Sequence, residues 1–374
     1  MERTADINLV AWRSARLSQR QTHAKLFAVV LVTCACLSAL LASFVPLQVS
    51  ILTVFLFAGP HNWFELRYFL MRLPVRFGKS RNFFVTAFVG IGVLTISYAA
   101  LPVLSSVGVW SDAAWPTVLA TWNTLLLLWL GVLVWLRGRQ RTGQKSGQKT
   151  RRDWFWAIPV TLALSSLNWI APEFFSLAIV YMHPLVALWF LDRHLRRTRP
   201  EWLGIYRRCL CLVPLLLAGM IWQLSSTARL ADDNGLFWRI TQHAGAQLLP
   251  NVSSHMLVAM HLFLEMLHYG VWLVALPLIG PLTKSANMRS NAGDRAPGPR
   301  AFLRRSIEDL KSVPLARHPQ GFPKLVSFAL LMGLFVVAIL WLGFSMDYST
   351  TRDIYFTVAI AHVLAEAPFL LKML

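Results

Sequence analysis

Ten apolar runs, each at least 18 residues long, follow one another through the chain, at about 26–45, 48–71, 83–105, 115–136, 154–171, 173–191, 209–226, 251–278, 324–345 and 353–372. At a rise of about 1.5 Å per residue, each is long enough to cross a hydrocarbon core about 30 Å thick. Lipid offers backbone N–H and C=O groups no partner, so a span must satisfy them within a helix or a closed barrel. The runs are continuously apolar rather than alternating, which selects helices. Only 14% of the residues are charged, against about 25% in soluble domains. These features predict an all-α fold, a polytopic integral membrane helical bundle of about ten transmembrane helices. Residues 1–374 are read as a single integral membrane domain.

A net charge of +19 invites a nucleic-acid partner, but its distribution argues otherwise. Lys and Arg cluster at 13–25, 72–81, 137–152, 193–208 and 284–324, whereas the connections between are short or mildly acidic, as at Ser111-Asp112, Asp232-Asp233 and Met346-Asp347. That alternation matches the excess of Lys and Arg in cytoplasmic loops. Both termini are therefore expected in the cytoplasm, and the membrane is expected to be a bacterial inner membrane. The basic N-terminus (1–25) and basic loops (137–152 and 281–323) would face anionic lipid, as would an amphipathic stretch at Ala301–Lys311. The expected partner is the bilayer, not nucleic acid. The first run is read as a retained helix, because some 25 residues with several charges precede it. Cys34/Cys36 and Cys209/Cys211 lie at different depths and are read as reduced packing residues.

Within the apolar runs, a histidine is three times followed four residues later by a glutamate: His61/Glu65, His261/Glu265 and His362/Glu366. Ten His and seven Glu placed at random would give about 0.2 such pairs, and this spacing brings helical side chains face to face. Ionisable groups inside a membrane are costly and mark function by default. The deep ionisable residues all fall on even-numbered spans: His61 and Glu65, then His183, then His255, His261, Glu265 and His268, then His362 and Glu366. Even spans are thus expected to line a common interior behind an apolar outer wall of odd spans. His61, His183, His261 and His362 lie about 8 to 13 residues from the outer ends of their spans, one layer at 1.5 Å per residue. Each paired glutamate lies one turn nearer the cytoplasm.

Histidine is the commonest metal-binding side chain, and a ligating imidazole gives its other N–H to a carboxylate or carbonyl. Two designs fit. A single ion can be held by His61, His183, His261 and His362, with Glu65, Glu265 and Glu366 orienting them. Alternatively, a dinuclear centre can use the glutamates as bridges and add His268. His261 and His268 are about 10.5 Å apart along a helix and cannot both bind one ion, which favours the first design and leaves His268 to a second metal, a proton path or substrate. Gly59-Pro60 and Pro184 can kink their helices and aim His61 and His183 inward. Two other readings stand beside the metal site. The pairs can be relays of a proton- or ion-coupled transporter, or a buried polar network in a structural or assembly subunit.

The segment Gly59-Pro60-His61-Asn62-Trp63-Phe64-Glu65 resembles the G-x-P-H-x-x-x-D element of the bacterial β-carotene dioxygenase (Brp/Blh) family, with Glu65 in the place of Asp. The helices carrying His261 and His362 are similar in position to that family's later histidine helices, although Glu265 stands where a second histidine is expected. The resemblance implies a polytopic, histidine-rich membrane protein that uses non-haem iron, and the family cleaves a carotenoid. Together with the residues themselves it leads to one expectation: a membrane-embedded oxygenase-like enzyme acting on a lipophilic substrate, with iron, or zinc or another transition metal, as cofactor.

Overall fold

The apolar runs fold as helices, because a helix satisfies its own backbone while its side chains meet lipid or one another. The computed structural model describes residues 2–73, 78–142, 154–231, 234–279 and 323–373, and no strand occurs among them. In chain order the helices are α1 (Glu2–Phe44), α2 (Pro46–Arg72), α3 (Arg81–Ser106), α4 (Trp115–Thr142), α5 (Ala157–Ile170), α6 (Pro172–Thr198), α7 (Pro200–Leu210), α8 (Leu212–Leu224), α9 (Gly235–His243), α10 (Ser254–Gly270), α11 (Pro323–Met346) and α12 (Tyr348–Met373). Among the described residues, eight helical stretches are long and apolar enough to cross a membrane. Helix α2 has the length, 27 residues, but is not among the eight.

The structure departs from the apolar runs mainly at their ends. Helix α1 begins at Glu2, far ahead of its apolar part Thr22–Phe44. The fifth run is an α-helix over only 14 residues, preceded by a 3-10 turn at Trp154–Trp156, which is about 21 Å of helix and short of a full span. A break at Cys211 separates α7 from α8. Helix α10 continues through a π turn, Val271–Ala275. Asp232, Asp233, the Ala301–Lys311 stretch, and most of the two basic loops lie outside the described residues.

The chain forms two compact units, Met1–Thr53 with Pro184–Gly293, and Val54–His183 with Asp294–Leu374. In the first, Trp202 and Tyr206 stand one turn apart on α7 and are buried with Phe27 of α1 and Ala187, Leu191 and Leu195 of α6. The Phe27 and Trp202 rings lie 5.1 Å apart, and the Tyr206 hydroxyl donates to the Leu188 carbonyl at 2.6 Å. Glu201, Arg207 and Arg208 on the other face of α7 are exposed, so this helix is amphipathic. The Asn234 side chain caps α9 by accepting from the Phe237 N–H at 2.8 Å. Ile240 and Ala244 then pack on Leu47, Leu257 and Val258, which seats α9 on its unit.

In the second unit, α3, α4 and α12 share a core that includes Phe84, Ala87, Trp122, Trp129, Leu133 and Leu364. A methyl group at Gly90 would overlap the Trp129 indole, so the close approach of α3 and α4 requires glycine there. A polar clamp ties α4, α5 and α6. Asn123 donates to the Asn168 side-chain oxygen at 2.8 Å and to Ser176 at 3.1 Å. Asn168 donates in turn to the Ala120 carbonyl at 2.8 Å and to Thr124 at 3.2 Å. Both amides are buried and satisfied, which makes them scaffold rather than site.

Among the described spans, burial departs from the division into even and odd at α1. The α1 stretch is 39% buried, more than the 22% of α6 or the 28% of α12. The reason is that α1 packs chiefly against α10, and also against α7 and α8, rather than forming part of an outer wall. Helices α3 and α11, each 17% buried, do present largely exposed apolar surface. All four cysteines are free, and Cys211 is exposed rather than packed.

Replacing Asn168 by Leu leaves Asn123 without its main partner, so the unfolding free energy is expected to fall by about 1–3 kcal/mol. Thermal unfolding in detergent micelles measures this. The exposed Leu162→Ala variant of the same helix should melt like the parent protein.

Candidate metal centre

Five of the residues singled out from the sequence meet in the second unit. Helix α2 supplies His61 and Glu65, α6 supplies His183, and α12 supplies His362 and Glu366. His61 and Glu65 are each 1% exposed and Glu366 is 2% exposed, so these groups face protein rather than lipid or water. Each helix has a proline beside its site residue: Pro60 before His61, Pro184 after His183, and Pro368 shortly after Glu366. A proline has no N–H and loosens the helix ladder at that point. Beside Pro60, the Phe57 carbonyl oxygen lies 2.9 Å from His61 Nδ1. Since a carbonyl only accepts, Nδ1 carries the hydrogen and Nε2 keeps the lone pair.

Helix α11 carries no ionisable residue in its apolar stretch, yet it fixes α2. Trp63 Nε1 donates to the Leu330 carbonyl at 3.0 Å, and Trp341 Nε1 donates to the Phe55 carbonyl at 2.9 Å. Gly59 lets Val337 approach, since a methyl there would stand 3.0 Å from its side chain.

The His362 ring is in contact with both other imidazoles, with centroids 5.2 Å from His61 and from His183. His362 Nε2 lies 3.3 Å from His183 Nε2, and His183 Nδ1 lies 3.4 Å from Glu366 Oε2. A carboxylate accepts, so Glu366 stands where it can take a hydrogen from His183 Nδ1. The i,i+4 spacing led to the expectation that each glutamate orients the histidine one turn before it. Instead, Glu366 meets the histidine of a neighbouring helix, and a backbone carbonyl takes the second nitrogen of His61.

The donor set fits a metal ion. Two ligands about 2.1 Å from one ion stand at most about 4.2 Å apart, and the two Nε2 atoms at 3.3 Å are already inside that limit. His61, Glu65 and His362 each bring one ligand-capable atom to within 4.8 Å of one another, near the same limit. His61 and His362 would hold the ion through nitrogen, with a carboxylate oxygen from Glu65, and His183, which approaches through His362 at 3.3 Å, would have to shift to reach the same ion.

His261, Glu265 and His268 lie on α10, in the first unit. The His261 ring meets that of His243 of α9, with centroids 5.1 Å apart. Glu265 accepts from the Tyr269 hydroxyl at 2.6 Å. Buried His268 has its ring 5.9 Å from that of Tyr269 and 6.5 Å from that of Trp272, just where the π turn widens the helix. His255 Nε2 lies 2.8 Å from the Ser43 carbonyl and ties α10 to the end of α1. His194, which stands among basic residues in the sequence, is buried within α6, and His318 lies outside the described residues.

His243 and Tyr269 escaped the reading of spacing and depth. The Glu265/Tyr269 separation of four residues was a signal open to the same rule that found the His/Glu pairs. The His243 contact had no local signal, because it depends on how α9 folds back. No protein-family model, curated protein or solved structure matches the chain.

Because His183 and Glu366 meet across α6 and α12, His183→Ala and Glu366→Gln are expected to be non-additive. A double-mutant cycle on unfolding should give a coupling of about 0.5–3 kcal/mol. Strictly additive effects would separate the two residues.

Proposed function

We propose that the chain is a membrane-embedded, metal-dependent oxygenase-like enzyme in which His61, His183 and His362 hold one non-haem iron beside Glu65 and Glu366. The observation that carries this reading is the 3.3 Å approach of His183 and His362 Nε2, on separate helices, next to His61 and two buried carboxylates. A buried cluster of this kind is costly unless its members satisfy one another or a bound cation. Imidazole and carboxylate donors suit iron and zinc alike, and the resemblance of the Gly59–Glu65 segment favours iron. Iron held by such donors, with a position left open, would supply activation of O₂.

The chain's own residues prepare the ligands. The Phe57 carbonyl holds His61 in the tautomer that presents Nε2, and Glu366 would do the same for His183 by accepting from its Nδ1. His362 must leave its Nε2 without hydrogen for both close nitrogens to ligate, so affinity falls as the pH drops and imidazoles protonate. The surrounding spans are apolar, which suits a lipophilic substrate arriving from the bilayer. In this reading the apolar runs lie in a bacterial inner membrane with both termini cytoplasmic, as the alternation of basic connections suggests.

A second reading has its own support. The series His362, His183 and Glu366, with contacts of 3.3 and 3.4 Å, is able to pass a proton in a proton-coupled transporter. It predicts pH-gradient-driven flux in liposomes without bound transition metal, abolished by Glu366→Gln.

Elemental mass spectrometry on purified protein distinguishes the two. About one iron per chain is expected, lost to below about one tenth in His61→Ala and His362→Ala, since removing a ligand or its orienting partner costs about 10–100-fold in affinity. An active preparation with no stoichiometric transition metal would contradict the metalloenzyme.

A further inference from the structure

A groove of about 510 Å³ opens in the first unit between the later turns of α6 and the junction of α7 with α8. Its floor is apolar, formed by Leu185, Leu188 and Val213, and its rim holds Asp192, Arg193 and Arg207. Leu185 and Leu188 precede Arg193 by eight and five residues on one helix, or about 12 and 8 Å along its axis. The charged rim and apolar floor are therefore offset along the helix, as headgroup and acyl chain are offset in a lipid.

The charges at the rim are not balanced by the protein. Arg207 donates from Nε and Nη2 to the two Asp192 oxygens at 2.8 and 3.2 Å, which matches the acid and leaves Nη1 of Arg207 for another acceptor. The Arg193 guanidinium lies over the Trp189 ring, 5.3 Å from its centroid. Its Nε is buried and makes no hydrogen bond. A buried guanidinium N–H without an acceptor is unfavourable, and an anionic oxygen is the partner that best relieves it. Arg196 and Arg197 add exposed positive charge on α6, whereas Glu201 is already beside Arg199 at 3.8 Å.

We propose that this groove binds one anionic phospholipid, with its phosphodiester at Arg193 and Arg207 and an acyl chain along Leu185, Leu188 and Val213. The stacking of Arg193 on Trp189 pre-sets the guanidinium, so little side-chain freedom is lost on binding. The surplus of arginine selects an anionic headgroup over a zwitterionic one, because Asp192 is already matched and cannot offset a second charge.

Native mass spectrometry of the full chain, released from micelles containing equal phosphatidylglycerol and phosphatidylcholine, tests this. One phosphatidylglycerol is expected to remain bound, with retention about tenfold lower in Arg193→Gln and likewise in Leu185→Trp, which fills the floor. Arg208→Gln, off the groove, should retain lipid like the parent chain. Should Arg193→Gln fail to fold, the melting temperature of the parent chain reports instead, rising with added phosphatidylglycerol and not with phosphatidylcholine. Equal retention of both lipids, unchanged retention in Arg193→Gln, or displacement by millimolar inorganic phosphate alone would overturn the assignment.

Discussion

An ionisable side chain inside hydrocarbon persists only where another polar group or a bound ion meets it, and the second unit is arranged around that constraint. His61, Glu65 and Glu366 are almost wholly enclosed, and none of the three helices that carry the site satisfies it alone. Helix α2 needs the His362 ring of α12, and His183 of α6 needs both His362 and Glu366. The cluster is therefore a cross-helix object, held by the same contacts that give it chemistry.

The scaffold keeps that object in place with groups that have no chemistry of their own. Trp63 and Trp341 lock α2 to α11 through backbone carbonyls. The satisfied Asn123–Asn168 pair joins α4, α5 and α6. Such bonds are modest singly, about 1–2 kcal/mol in a membrane, but they determine which helix faces meet. Prolines beside each site residue then loosen the ladder where side chains compete for backbone carbonyls.

Membrane character and the helical class were legible in composition and run length, because the bilayer imposes both through simple physical limits. The site was legible in part. Spacing and depth picked out His61, Glu65, His183, His362 and Glu366, since buried ionisable groups stand out against apolar sequence. Their partners were not legible: i,i+4 spacing describes one helix, whereas Glu366 meets His183 across two. The Phe57 carbonyl carries no sequence signal at all, as any residue would offer one. Likewise, the enclosure of α1 came from α10 together with Trp202 and Tyr206 of the amphipathic α7, pairings between helices that apolar runs do not encode.

The central claim, that three helices build one ligand set, is tested most directly by X-ray absorption at the metal edge of the purified protein. The account predicts a nitrogen and oxygen shell at about 2.1 Å with an outer-shell imidazole signal that weakens when His183 is replaced. A metal with only oxygen ligands, or an imidazole signal untouched by loss of His61, His183 or His362, would contradict it.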